Sequence, residues 1–232
     1  MPVAPREAIE CVMEMRDYFN GELGVDYRIR RYDTDVLDNI TPGTTKALLE
    51  ANSKVTENCA CITLFTEVHK DKKDIQRSIQ HELMGHLLLR TYASDQANNI
   101  LDSILESRYD PSLAPAWGSV QARYPEESLR LQAEEVFAFT AETVDLNADP
   151  LLNTHRLGKS TGAVDLRDLR QEIFLATQEL RQGHREINIA GRKLPQKARN
   201  EDPLIANLQL DDALNSTAEV SRSKGNVIHF KI

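Results

Sequence analysis

The sequence predicts a mainly helical α+β fold in which a small sheet precedes one long helix. Two patterns support this fold class. Apolar residues recur at helical spacing through residues 71–90 and 95–108, and residues 59–66 form an apolar run of strand length bounded by polar residues. A further helix with charge-rich faces is expected over 165–182. With 232 residues, of which 41% are hydrophobic, the chain can bury one sizeable core.

The remaining elements follow from local signals. The pattern predicts an amphipathic helix over 6–20, a strand over 27–32, and a turn or helix start at 41–43 that leads into 46–51. The region 110–118 interrupts the helical pattern, and Pro125 begins a further helix that ends before residue 147.

The domain organisation is expected to change near residue 183. Beyond this point glycines, prolines and scattered basic residues replace the large apolar residues until residues 227–232. We therefore predict one domain over 1–182 and a partly irregular tail over 183–232. The tail would end in a strand that docks on this chain or on a protein partner.

Composition limits the classes of function. The chain has 36 acidic and 28 basic residues and a formal charge of −8, which disfavours non-specific attraction to nucleic acid. No signal sequence and no apolar stretch of bilayer-spanning length is present, so we expect a cytoplasmic chain with no membrane partner. Delivery into another cell would leave no trace in such a sequence.

The three cysteines indicate a reducing compartment rather than a disulfide framework. Cys59 and Cys61 lie two residues apart in the predicted strand, where both would point to one face. We interpret them as small buried side chains rather than metal ligands.

The most informative motif is His81-Glu82-Leu83-Met84-Gly85-His86. In H-E-x-x-H two histidines on one helix face bind zinc and the glutamate is a general base. Here the spacing is five residues, which an ideal helix would place on different faces. We therefore predict one π-type turn, which returns position i+5 to the same side. Gly85 would tolerate this turn and let another element approach closely.

A catalytic zinc site needs a third protein ligand, and Glu134-Glu135 offers two carboxylates, of which Glu135 lies 49 residues after His86. One interpretation is that an acid beside Val136 and Phe137 is buried with a cation. The alternative is that both glutamates lie on the solvated face of an ordinary amphipathic helix.

These motifs resemble those of the dipeptidyl peptidase III family, a gluzincin group with H-E-x-x-G-H followed by E-E-x-[R/K]-A-[E/D]. The second motif is matched at Glu134, Glu135 and Ala138, but Phe137 stands for a basic residue and Phe139 for an acid. The order strand, H-E-x-x-G-H helix, helix and E-x-x-A helix is similar to the zincin-like modules in polyvalent proteins of phages and other mobile elements. This similarity covers roughly residues 27–144.

The resemblance implies a zincin-like fold and a zinc-dependent hydrolase, a metalloprotease that cleaves a protein or peptide substrate. His81, His86 and Glu135 would hold Zn²⁺, and Glu82 would activate the bound water as the catalytic base. The strand residues 63–67 would form a shelf for substrate, or would be plain structure.

The zinc-site prediction also gives supporting roles to further residues. Each histidine should donate its second ring N–H to an acceptor, for which we considered Glu134, Glu142 and Asp102. Tyr92, Tyr124 and His155 have suitable chemistry for a transition-state donor. The isolated histidines His69, His184 and His229 are expected to carry no chemistry.

Two other classes of function stay open at this point. One is a catalytically inactive zincin-fold protein that binds or inhibits a partner through its tail, as in a phage, plasmid or effector system. The other, ranked last because of the acidic charge balance, is a nucleic-acid accessory factor.

Overall fold

A computed structural model describes residues 3–19, 23, 25–30, 46–51, 60–147, 157, 162–185, 188–189, 192–193 and 228–230. Across these residues the chain is mainly helical with a small sheet, which confirms the predicted α+β class. The chain divides into two compact units, 1–75 with 194–232 and 76–193. The predicted division at residue 183 stays a prediction.

The first unit contains one helix and a four-stranded sheet. Its elements are α1 (Pro5–Tyr18), β1 (Val25–Arg30), β2 (Ala47–Ala51), β3 (Ala60–Phe65), a 3₁₀ turn (Thr66–Val68), and β6 (Ile228–Phe230). The strand order is β2-β3-β1-β6, with β1 and β3 parallel and the other pairs antiparallel. All six residues of β3 are buried, as expected for an apolar inner strand.

Helix α1 begins at a proline and buries one apolar face. Pro5 occupies the first turn, where its missing N–H costs nothing, and Ala8, Val12 and Met15 form part of a buried face at helical spacing. The helix packs on β1. The predicted helix at 6–20 is therefore confirmed to within two residues.

Strand β2 was not recognised in the sequence. Its residues, Ala-Leu-Leu-Glu-Ala, have high helix propensity, yet they pair with β3 from Ala47 opposite Leu64 to Ala51 opposite Ala60. Pairing with a buried neighbour outweighs this weak local preference. The strand β6 lies inside the predicted terminal strand at 227–232.

The cysteines that the structure describes agree with their predicted role. Among the described residues, Cys11 and Cys61 are buried and neither forms a disulfide bond. Burial raises the pKa of the Cys11 thiol to about 11, so this thiol stays protonated at neutral pH. Cys59 lies outside the described residues.

His69 makes the first unit sensitive to acid. Its Nδ1–H donates to the carbonyl of Phe65 at 2.8 Å, and burial lowers the pKa of the imidazole below its usual value of 6.5. The folded state thus favours neutral His69, and the stability that this gives is present above pH 6.5 and is lost as the pH falls towards the lowered pKa.

We expect His69→Gln to weaken the acid dependence of unfolding. Urea unfolding of both proteins at about pH 7.5 and about pH 5.5 should show a smaller acid-induced loss of free energy in the variant, because glutamine does not titrate. Equal losses in the two proteins would show that His69 contributes nothing to the pH dependence.

The second unit is a helical assembly followed by a two-stranded hairpin. It contains the end of α2 (Lys72–Gln80), a π-helix (His81–Leu87), α3 (Ser94–Glu106), α4 (Ala114–Arg123), α5 (Leu129–Ala141), α6 (Leu166–Arg181), β4 (Asn188–Ile189) and β5 (Arg192–Lys193). Helix α5 is central, since it packs against the π-helix, α3, α4 and α6. Its residues Ala133, Val136 and Phe137 are fully buried.

Helices α4 and α5 differ from their predictions. The region read as an interruption is helix α4, in which Pro115 lies in the first turn and Trp117 and Val120 are buried. Helix α5 begins at Leu129 rather than Pro125, because the Ser128 side chain caps it by accepting a hydrogen bond from Leu131 N. The predicted helix at 165–182 is confirmed, with Asp165 as its N-cap.

In the described portion of the chain, no helix has the combination of length and apolar character that crossing a bilayer requires.

Candidate metal centre

The π-helix brings the two histidines of the motif together. The π-helical segment His81–Leu87 contains the whole motif, and the His81 and His86 ring centroids lie 5.0 Å apart. This confirms the π-type turn that the five-residue spacing predicted, since one wider turn restores both rings to the same side.

Gly85 allows α5 to approach the π-helix. A Cβ atom at this position would lie 2.6 Å from both Cα and Cβ of Ala138, which is closer than real Cβ contacts. Small residues on both helices are therefore required at this crossing. The predicted close approach at Gly85 is confirmed, and its partner is the helix that carries Glu135.

Glu135 faces both imidazoles. One ligand atom from each of His81, His86 and Glu135 lies within 4.8 Å of the other two. The Nε2 atom of each histidine is 3.5 Å from a Glu135 carboxylate oxygen, which is too long for a good hydrogen bond. In addition, Glu135 Oε2 is buried without a hydrogen-bond partner among the described residues. Such an orphaned oxygen fits a cation between the three groups.

The opposite ring nitrogens are held by two further carboxylates. His81 Nδ1 lies 2.9 Å from Glu142 Oε1, and His86 Nδ1 lies 3.0 Å from Glu134 Oε1. These contacts orient both rings so that Nε2 faces Glu135, as second-layer carboxylates do for metal-bound histidines. Two of the three predicted acceptors are confirmed. The third, Asp102, was wrong, because its carboxylate binds Arg130 instead.

The surroundings of His81 favour its positively charged form. Burial alone would lower the pKa of His81, but the carboxylates of Glu135 and Glu142 outweigh it and raise the pKa to about 10. The hydrogen bond with His86 lowers the pKa of Glu134. Burial raises the pKa of Glu82, which lies beside this cluster. An electric field that favours an imidazolium also favours a bound cation.

Phe139 and Arg123 form one wall of the centre. The ring centroids of Phe139 and His81 are 5.2 Å apart in an edge-to-face arrangement. The guanidinium carbon of Arg123 lies over the Phe139 ring, 4.8 Å from its centroid. Phe139 stands where the resembling motif has an acid, and Glu142 supplies a carboxylate to His81 from the end of α5. Sequence reasoning missed Arg123, although Phe139 lies one helical turn after Glu135 and could have been placed at the site.

The remaining predicted residues have varied positions. Tyr92 donates its hydroxyl to the buried carboxylate of Glu172 at 2.7 Å, which is a structural contact. Tyr124 is partly exposed, and burial together with the charge of Glu135 raises its pKa. His155 lies outside the described residues. The strand proposed as a substrate shelf belongs to the first unit, and its role stays a prediction.

Comparison with known proteins gives one partial similarity. The chain is 36% identical over 72 residues to DNA primase TraC of Escherichia coli. These residues are 31% of this chain, and the chain covers 5% of that much longer protein. No family model and no solved structure matches the chain.

This similarity contradicts the function predicted from sequence. The predicted function was a zinc-dependent hydrolase that cleaves peptide bonds, with an inactive zincin-fold binding protein as its alternative. This prediction was wrong, because the relative points to a function connected with DNA. The class that the charge balance had ranked last is the one that the comparison favours. A net charge excludes neither a local binding site nor a role beside other DNA-binding parts.

Proposed function

We propose that this chain is a zinc-binding module that functions in DNA metabolism. The observation that carries the metal part is the carboxylate of Glu135: Oε2 lies 3.5 Å from Nε2 of His81 and is buried without a hydrogen bond, and Oε1 lies 3.5 Å from Nε2 of His86. The partial similarity to a DNA primase supports the DNA part.

The donor set favours zinc over the hard cations. Two imidazoles and one carboxylate are typical zinc ligands, whereas calcium and magnesium prefer oxygen ligands alone. Three protein ligands leave a fourth tetrahedral position for water or another ligand. The helix pair also supports the proposal of a zincin-like arrangement, since the π-helix supplies both histidines and α5 supplies the carboxylate.

The role in DNA metabolism is proposed for a module rather than for a complete enzyme. The relative is a far longer protein, so the 72 similar residues correspond to a small part of it. The formal charge of −8 argues against electrostatic binding along an extended stretch of the phosphate backbone. DNA contact should therefore be local and weak in this chain by itself.

Metal analysis tests the zinc site. Purified protein should contain about one zinc per chain, and His81→Ala or Glu135→Ala should weaken zinc binding by more than about 100-fold, since loss of even an outer partner costs 10–100-fold. His184→Ala removes a histidine outside the cluster and should retain zinc. Protein that neither carries zinc nor takes it up in a titration would disprove the site.

The DNA part is tested separately by fluorescence anisotropy. Zinc-loaded protein is titrated into a labelled single-stranded oligonucleotide at low salt, and weak binding with a dissociation constant of about 1–100 µM is expected. Absence of binding over this range would contradict DNA contact by this module and would leave the zinc result unaffected.

A further inference from the structure

Arg123 is a charged side chain of the metal centre that neither the motif nor the proposed zinc site uses. It is the last residue of α4, and it is exposed. Its guanidinium lies 4.8 Å from the Phe139 ring centroid, and that ring lies 5.2 Å from the ring of His81. The guanidinium carbon is therefore no more than about 10 Å from the centroid of the His81 ring, the sum of these two distances.

The guanidinium of Arg123 has N–H donors available for a ligand. Among the described residues no carboxylate forms an ion pair with Arg123, whereas Arg130 pairs with Asp102 and Arg185 with Glu179. Stacking on Phe139 occupies only one face of the guanidinium plane, so its N–H groups at the edge stay available. An arginine fork of this kind matches the oxygens of a phosphate group.

The position of Arg123 is set by the adjoining turn. The side-chain amide of buried Gln132 donates to the carbonyl of Tyr124 at 2.9 Å and to that of Glu127 at 3.1 Å. These bonds fasten the turn after α4 onto α5, the helix that carries Glu135. The backbone that follows Arg123 is thus supported by α5, and the Arg123 side chain contacts Phe139 of the same helix.

We propose that Arg123 and the zinc ion form a binding site for a phosphate group of a DNA strand. This inference rests on the proposed function. A zinc ion held by His81, His86 and Glu135 would supply a Lewis-acidic position for one phosphate oxygen, and Arg123 would donate to the same phosphate or to the next one along the strand. The partly exposed ring of Tyr124, the residue after Arg123, gives a neighbouring surface on which a base can stack.

The salt dependence of DNA binding tests the assignment. Arg123→Met should weaken binding of a labelled single-stranded oligonucleotide and reduce the slope of log affinity against log salt by about 0.7, the value for one lost phosphate contact on a single strand. Arg123→Lys should retain most of the slope. Zinc content of each variant is measured in parallel, so loss of the metal is distinguished from loss of the arginine contact.

Arg108 provides the matched control. It also stacks on an aromatic ring, 4.8 Å from the centroid of exposed Tyr109, but it follows α3 and is not part of the cluster. Arg108→Met should leave affinity and salt slope unchanged. The inference is overturned if Arg123→Met binds DNA with unchanged affinity and slope while it retains zinc.

A second probe separates this inference from the DNA proposal. Cobalt-substituted protein is titrated with inorganic phosphate, and the visible absorption of the ion is followed. Phosphate should perturb the spectrum, and Arg123→Met should weaken this effect several-fold. If DNA fails to bind but phosphate binds in an Arg123-dependent manner, the DNA role is wrong and the anion site stands. If neither probe binds to metal-loaded protein, the anion site is wrong.

Discussion

Replacing Gly85 with alanine is expected to disrupt the metal centre without touching any ligand. The added Cβ would meet Cα and Cβ of Ala138 at 2.6 Å, and one of these is backbone that cannot rotate away. Overpacking of this kind typically costs about 1–3 kcal/mol of the free energy of unfolding. Because the contact lies between the π-helix and α5, we also expect weaker zinc binding. Thermal unfolding and zinc competition titrations measure the two effects.

Gly118 offers a matched control for this substitution. It lies in helix α4, and a Cβ there would have nothing within 4 Å. Gly118→Ala should be neutral or should stabilise the protein by up to about 1 kcal/mol, since alanine is the better helix former. Ala138→Gly combined with Gly85→Ala should restore part of the lost stability and zinc affinity. If Gly85→Ala and Gly118→Ala behave alike, the tight crossing does not exist.

Removing either outer carboxylate is expected to weaken zinc binding by about 10–100-fold. Glu142→Gln and Glu134→Gln preserve side-chain size but remove the charge that holds each Nδ1–H in place. The ring can then rotate or adopt the other tautomer, and Nε2 becomes a less basic ligand. Competition with a chelator of known affinity gives the dissociation constant for each variant.

The comparison variant for these two substitutions is Glu126→Gln. Glu126 is exposed and has no described contact with either histidine. Its substitution by glutamine removes the same charge from the protein. Its zinc affinity should equal that of the parent chain. Equal affinities of Glu142→Gln and Glu126→Gln would mean that the contact with His81 contributes nothing to metal binding, and the proposed outer shell would have to be abandoned at that residue.

The sequence predicted those parts of the fold that depend on local chemistry. The π-type turn followed from the spacing of His81 and His86, and the helix predicted at 165–182 is α6. Strand β2 could not be recognised in this way, because its pairing with β3 depends on residues that are distant in sequence. Helix α4 was missed because Pro115 was read as a breaker, although proline is tolerated in a first turn.

The candidate site was predictable to a similar extent. His81 and His86 were named from the motif, Glu135 from the family resemblance, and Glu134 and Glu142 from the need for a second acceptor on each ring. Arg123 was not identified because its proximity arises from the packing of α4 on α5, for which no motif exists. The function was mispredicted for a related reason. A ligand pattern specifies which ion can bind, but the molecule that the site acts on depends on surrounding surfaces.

The ligands and their outer carboxylates come from only two helical segments, 81–86 and 134–142, within the second unit. If zinc binds here as proposed, its binding would stabilise the packing of these two segments on each other. Above the dissociation constant, each tenfold rise in free zinc would add about 1.4 kcal/mol to the stability of the packed pair. Availability of the metal in the cell would thereby set how long this part of the molecule persists.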